Sequence, residues 1–140
     1  MKTVTSWNSA LGFTSEYDGH SIELNGANGP DGKRLAFGPK ALLLSGLAGC
    51  SGIDVVEMLD KMRVPFGRLV ITAEAEQTEG HPRVFKDIHI TYEIETDPEN
   101  LNKVKRAVEL SLGKYCGVAA MLKKNCPIFP KVHLLPQQPA

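Results

Sequence analysis

Apolar and polar residues alternate with a period of two along two stretches in the middle of the chain. Residues 69–76 place apolar side chains at every odd position, and residues 87–95 place them at every even position. This alternation is typical of strands with one buried and one solvent-facing side, as in an antiparallel sheet. Residues 3–24 contain further short strands. Asp18-Gly19 predicts a hairpin turn there, because glycine readily takes a positive φ.

Helical patterns separate and follow these strands. Pro39 suits a first helical turn, and a helix is predicted over 39–62. The remaining elements are a helix over 98–112 that Asp97 caps, a short helix over about 116–124 and a last strand over 128–134. The order β-β-β-α-β-β-α-α-β predicts an α+β fold. The 140 residues fit a single domain, 1–140.

The predicted helix 39–62 is apolar nearly all round, so we expect it to be buried on most sides. Ser45, Gly49, Gly52 and Val56 fall on one narrow line of this helix, and small residues on a line let another backbone approach closely. Glycine costs about 1 kcal/mol in a helix interior, and close helix packing offsets that cost. The packing partner is either the same helix of a second subunit or the second long helix of the same chain.

Composition and charge exclude several classes of protein. Lys and Arg number 16 and balance 16 Asp and Glu, so nothing resembles a nucleic-acid footprint. The first residues lack the apolar core of a signal peptide, and polar residues interrupt the apolar stretch 41–59. We therefore expect no membrane span and a cytoplasmic location, where thiols stay reduced. The three cysteines are too few for a disulfide scaffold, and their spacing fits no zinc site, so no metal or cofactor is predicted.

Cys50 lies in the segment LAGCSGIDVV, residues 47–56, with Asp54 one turn further along the same helix face. The carboxylate of Asp54 disfavours a thiolate beside it, and a position in mid-helix gains little from the helix dipole. From the residues alone, a cysteine placed like Cys50 is more often a core residue than a nucleophile. Asp54 is more often a hydrogen-bond acceptor than a base, because a half-buried aspartate is unusual unless it is paired.

Two further cysteines follow in the C-terminal third. Cys116, in KYCGVAAML, lies at the predicted start of a short helix, where backbone N–H groups and the helix dipole lower the pKa of a thiol. Together with Cys50 it forms a candidate dithiol–disulfide pair, provided that folding brings the two Cα atoms within about 7 Å. Cys126 precedes Pro127 at a helix end, and a core role is the first interpretation of it.

The motifs resemble the OsmC/Ohr superfamily, most closely its OsmC-like branch. Gly38-Pro39 followed by LLLSGLAGCSGIDVVEML, and later AVELSLGKYCGVAAML, carry this resemblance, which spans about residues 35–135. The resemblance implies an intertwined homodimer with long central helices, and thiol-dependent reduction of organic hydroperoxides or hydrogen peroxide at the subunit interface. It also implies that Cys50 is the peroxidatic cysteine, that Cys116 is the resolving cysteine, and that an external dithiol is the reductant.

The chain departs from the family pattern at its charged groups. The best-characterised members carry a glutamate just after the proline, where this chain has Lys40 and Ala41. Those members also use an arginine in the N-terminal region, whereas the first arginine here is Arg34. Three functions therefore compete: a thiol peroxidase using Cys50 and Cys116, a non-enzymatic dimer that binds an apolar small molecule, and a redox-responsive dimer. We favour the first, because both cysteines of the pair are present.

Overall fold

The computed structural model describes residues 1–138, and its elements follow the order β-β-β-α-β-β-α-α-β. The strands are β1 (Val4–Ser9), β2 (Gly12–Tyr17), β3 (His20–Asn25), β4 (Leu69–Gln77), β5 (Phe85–Ile94) and β6 (Ile128–Leu134), and the helices are α1 (Pro39–Lys61), α2 (Leu101–Leu110) and α3 (Gly117–Leu122). This order confirms the predicted α+β fold. The chain divides into two compact units, the first up to Leu43 and the second from Leu44 onwards.

The first unit is built on an antiparallel sheet in the order β1-β2-β3. Asp18 and Gly19 have φ angles of 50° and 82° and connect the paired residues Tyr17 and His20, which confirms the predicted hairpin turn. This sheet leaves large apolar side chains uncovered, and the Trp7 side chain is 67% exposed. An apolar hollow of about 620 Å³ is lined by Trp7, Leu11, Phe13 and Leu24, among others.

The second unit contains the main hydrophobic core, on a sheet in which β5 is the central strand. β4 pairs with β5 antiparallel, as the alternation predicts, and β6 pairs with the other edge of β5 in the parallel direction. The inward side chains of β5 are fully buried: Ile88, Ile90, Tyr92 and Ile94. The period of two therefore correctly identifies the core-facing side of this strand.

Helix α1 is less buried than its composition predicts. Its buried residues are Leu47, Ser51, Val55 and Leu59, which form one line along the helix. Ile53 is 64% exposed, and a Cβ built on Gly49 meets no atom within 4 Å. The expectation of burial on most sides is therefore wrong within the second unit, whose described residues leave this face open. The uncovered side forms a largely apolar groove of about 580 Å³.

The C-terminal helical region differs in detail from the sequence prediction. Asp97 makes no capping hydrogen bond: the chain enters α2 through a 3-10 turn, and the Asp97 carboxylate accepts a hydrogen bond of 2.8 Å from Gln137 instead. The break predicted near Gly113 is a π-helical segment, Ser111–Tyr115. The chain then passes through an extended residue, Cys116, into α3. π-helical turns are rare, and they occur frequently at functional sites.

By length and composition alone, α1 is apolar enough to cross a membrane, with a mean hydropathy of 1.6 over its most apolar window. The core helix of a water-soluble protein has the same composition. One line of α1 is buried against the second unit's core, and Ser51 and Asp54 on the helix are hydrogen-bonded to side chains of other elements. The predicted absence of a membrane span remains a prediction.

Candidate active site

The second unit brings the side chains of Cys50 and Cys116 together although 65 residues separate them in the chain. Cys50 lies on α1 and is half-buried, while Cys116 caps α3 and is only 3% exposed. The Cys50 side chain lies close enough to influence the pKa of Cys116, and both residues are free cysteines. A chemically accessible thiol therefore lies beside a shielded one.

A chain of buried hydroxyl groups lies beside the thiols. The Ser51 hydroxyl is 2.5 Å from that of Tyr92 and 2.9 Å from that of Ser111, and all three residues are fully buried. The Ser111 hydroxyl donates to the carboxylate of Asp54 at 2.9 Å. Asp54 is thus the hydrogen-bond acceptor that the sequence predicts, and its partner is now identified.

Cys116 is connected to this chain of hydroxyl groups through backbone atoms. Its N–H group donates to the carbonyl oxygen of Ser111 at 2.8 Å, closing the π-helical turn. Its sulfur accepts a hydrogen bond of 3.3 Å from the backbone N–H of Ala119. Ser111 therefore contacts Asp54 through its side chain and Cys116 through its main chain.

The expected low pKa of Cys116 is wrong. The pKa of Cys116 is raised from 9.0 to about 11. Burial of the thiol is the largest cause, and the interaction with the Cys50 side chain is the next largest. The N–H group of Ala119 acts in the opposite direction, as expected at a helix start, but it does not offset the loss of solvation. The nearby charge of Asp54 adds to the increase. Cys116 is therefore protonated at neutral pH.

The raised pKa of Cys116 predicts a loss of stability in alkaline solution. The unfolded chain releases this proton near pH 9 and the folded chain near pH 11, so the free energy of unfolding falls between these values. Cys116→Ala removes this contribution. We expect the stability difference between the original chain and this variant to change above pH 9 and to be constant below pH 8. Urea unfolding at a series of pH values measures it, and an equal change with Cys126→Ala would contradict the assignment.

Burial also raises the pKa of Tyr92, to about 12, and the charges of Cys116 and Asp54 add to this effect. Tyr92, Ser51 and Ser111 were not predictable as site residues from the sequence pattern. Tyr92 occupies an inward position of a strand, where its hydroxyl is indistinguishable in pattern from an apolar core residue. The sequence carries two signals for the serines: Ser51 directly follows Cys50, and Ser111 precedes Cys116 by five positions.

The other residues that the sequence analysis considered lie outside this group of thiols and hydroxyls. Cys126 is 5% exposed, and its backbone N–H donates to the Leu122 carbonyl, as suits a core residue. Arg34, in the first unit, donates from its guanidinium to the carbonyl of Gly26 at 2.9 Å. Lys40 lies in the first turn of α1. Within residues 1–138, no group of three or more His, Cys, Asp or Glu side chains is arranged to hold a metal ion.

The fold and the two cysteine motifs define a family. The family model of OsmC-like proteins matches residues 29–130, and the chain belongs to this family. The resemblance inferred from the motifs is thereby confirmed.

Individual relatives agree with this assignment. Protein YhfA of Escherichia coli (strain K12) is 34% identical over 125 residues, which cover 89% of this chain and 90% of the relative. The crystal structure of an OsmC-like protein from Mycoplasma pneumoniae superposes with a TM-score of 0.83 at 20% identity, covering 96% of both chains. An organic hydroperoxide resistance protein OsmC from Legionella pneumophila superposes with a TM-score of 0.70 at 18% identity, covering 95% of this chain and 97% of the other. At these identities the two solved structures show the fold alone.

Proposed function

We propose that the protein is a thiol-dependent peroxidase that reduces organic hydroperoxides or hydrogen peroxide through Cys50 and Cys116. The observation that carries this proposal is the proximity of one half-buried and one buried thiol on remote parts of the chain. Membership of the OsmC-like family supports it. A structural neighbour named as an organic hydroperoxide resistance protein supports a peroxidase-like function in general.

The different environments of the two sulfurs support different roles for them. Cys116 is 3% exposed and, with a pKa of about 11, is a thiol at neutral pH, so it is a poor first nucleophile. Cys50 has the greater access to solvent. The first attack on a peroxide therefore falls to Cys50, and Cys116 acts second.

In the first step the thiolate of Cys50 attacks the distal oxygen of the peroxide. A sulfur–oxygen bond forms while the oxygen–oxygen bond breaks, and the leaving alkoxide, or hydroxide from hydrogen peroxide, takes up a proton to become an alcohol or water. The product on Cys50 is a sulfenic acid.

In the second step the sulfur of Cys116 attacks the sulfenic acid of Cys50. A disulfide forms, the sulfur–oxygen bond breaks, and the hydroxyl group leaves with the thiol hydrogen as water. An external dithiol then reduces the disulfide by two exchange reactions and restores both thiols. The proximity of Cys50 to Cys116 supports this step, because condensation requires the two sulfurs to come into contact.

We further propose that the protein acts as a homodimer in the cytoplasm. Two apolar surfaces support the homodimer: the groove beside Gly49 on α1, and the hollow around Trp7 on the first sheet. Contiguous exposed apolar surface of this kind marks interaction sites. A line of small residues on a long helix suits the same helix of a second copy.

Peptide mapping after treatment with peroxide tests the proposed function. One equivalent of cumene hydroperoxide or hydrogen peroxide is expected to produce the peptide pair linked by Cys50 and Cys116, which dithiothreitol releases again. Consumption of further peroxide should then require continued supply of the dithiol. Absence of this linkage would contradict the mechanism. Formation of the linkage without repeated turnover would instead favour the redox-responsive dimer.

A further inference from the structure

The carboxylate of Asp54 lies at one end of the buried hydroxyl chain, and a carboxylate only accepts. The Ser111 hydroxyl donates at 2.9 Å both to this carboxylate and to the Ser51 hydroxyl, so its single hydrogen is shared between the two acceptors. The Ser51 and Tyr92 hydroxyls are joined by a further hydrogen bond of 2.5 Å in which either group can donate. Asp54 is therefore a fixed acceptor for Ser111 on the α1 side of the chain.

The same chain holds the loop that carries Cys116. Ser111 is the first residue of the π-helical segment, and its carbonyl oxygen accepts from the Cys116 N–H. Since its hydroxyl is anchored to Asp54 on α1, the segment is tied to the helix that carries Cys50. Asp54 and Cys50 are one turn apart on that helix, so the anchor and the partner thiol move together.

The charge of Asp54 acts on Cys116 as well. It disfavours a thiolate at Cys116, in the same direction as burial and the interaction with Cys50. Three titratable groups interact with Cys116: Cys50 and Asp54 on α1, and Tyr92 on β5.

We propose that Asp54 is a positioning residue for the disulfide-forming step. Through Ser111 it holds the segment that carries Cys116 against the helix that carries Cys50. The inference rests on the proposed function. It adds a group that contacts neither the peroxide nor the reacting sulfurs but sets how fast the disulfide closes.

The effect of the Asp54 charge on the Cys116 thiol is tested without peroxide. In a chain carrying Cys50→Ser and Cys126→Ser, Cys116 is the single thiol, and its alkylation by iodoacetamide is followed from pH 7 to 10.5. Adding Asp54→Asn removes the charge and keeps an acceptor oxygen. We expect the profile to move to lower pH by about half a unit to one unit, which is roughly a three- to tenfold faster reaction at a given pH. Coincident profiles would contradict an effect of the Asp54 charge on Cys116.

The positioning is tested by competition in the chain with all three cysteines. After one equivalent of peroxide, dimedone traps the sulfenic acid of Cys50 unless Cys116 closes the disulfide first. Ser111→Ala releases the anchor and is expected to raise the trapped fraction severalfold. Asp54→Asn keeps an acceptor for Ser111 and removes the negative charge that disfavours a thiolate at Cys116. The disulfide should then close faster, so the trapped fraction is expected to fall. Ser111→Thr keeps a hydroxyl and should behave like the original chain.

The trapped fraction is expected to rise in Ser111→Ala and to fall in Asp54→Asn. General destabilisation would instead change the trapped fraction of both variants in the same direction. If both variants leave the trapped fraction unchanged, Asp54 does not control closure of the disulfide. If the original chain does not react with peroxide, the proposed function fails, while the alkylation profiles of Cys116 still test the action of Asp54. Circular dichroism of each variant verifies that it is folded.

Discussion

Replacing Cys50 by serine is expected to lower the rate of peroxide reduction by about 100-fold or more, because a hydroxyl is a far weaker nucleophile than a thiolate. The change removes a half-buried sulfur and leaves a side chain of nearly the same shape, so the fold should be retained. Loss of peroxide in solution, measured with ferrous xylenol orange at a fixed dithiol concentration, gives the rate.

The other two cysteines provide matched controls for this change. Cys116→Ser should still consume one equivalent of peroxide and accumulate the sulfenic acid of Cys50, which then passes to irreversible oxidation products. Cys126→Ser should leave the rate unchanged, because Cys126 is a core residue that contributes no contact to the thiol pair. Undiminished turnover in Cys50→Ser would exclude Cys50 as the attacking group. A loss as large in Cys126→Ser would point to a structural cause.

The strands and helices were predictable because their patterns are local. The alternation in residues 87–95 identifies the buried side of β5, and Asp18-Gly19 identifies a turn from two residues. The parallel pairing of β6 with β5 was not predictable in this way. Strand direction depends on where the intervening helices return the chain, and an alternating segment has the same pattern in both directions.

The candidate site shows more clearly that local sequence patterns do not predict contacts between remote residues. Cys50 and Cys116 were identified from motifs, and Asp54 from the need of a half-buried carboxylate for a partner. The pKa of Cys116 was mispredicted because a helix start is a local feature, whereas burial depends on the packing of the whole second unit. Ser111 was missed for a related reason. Its hydroxyl contacts Ser51 and Asp54, about sixty residues away, and nothing in its neighbours indicates this.

The exposed face of α1 is the place where composition and structure disagree most. A helix that is apolar all round predicts burial, yet Leu43, Ile53 and Val56 are all exposed in the single chain. Gly49 lies in this face with no atom within 4 Å of a Cβ built on it. Inside one chain, a glycine there has no packing function that would offset its cost to the helix. In the proposed homodimer, a second copy seated on this face would provide that function and would also remove the apolar surface from water.

Gly49→Glu is therefore expected to separate the subunits without unfolding them. The open space around Gly49 accommodates the new side chain within one chain, whereas a two-fold interface places two carboxylates in an apolar contact. Burying them unpaired costs several kcal/mol, which raises the dissociation constant of the dimer by about 1,000-fold or more. Sedimentation equilibrium should give the mass of two chains for the original protein and of one chain for the variant. Gly113→Glu, at another exposed helical glycine with open space around it, is the control and should remain a dimer. A single-chain mass for the original protein, or a dimer that survives Gly49→Glu, would mean that α1 does not form the interface.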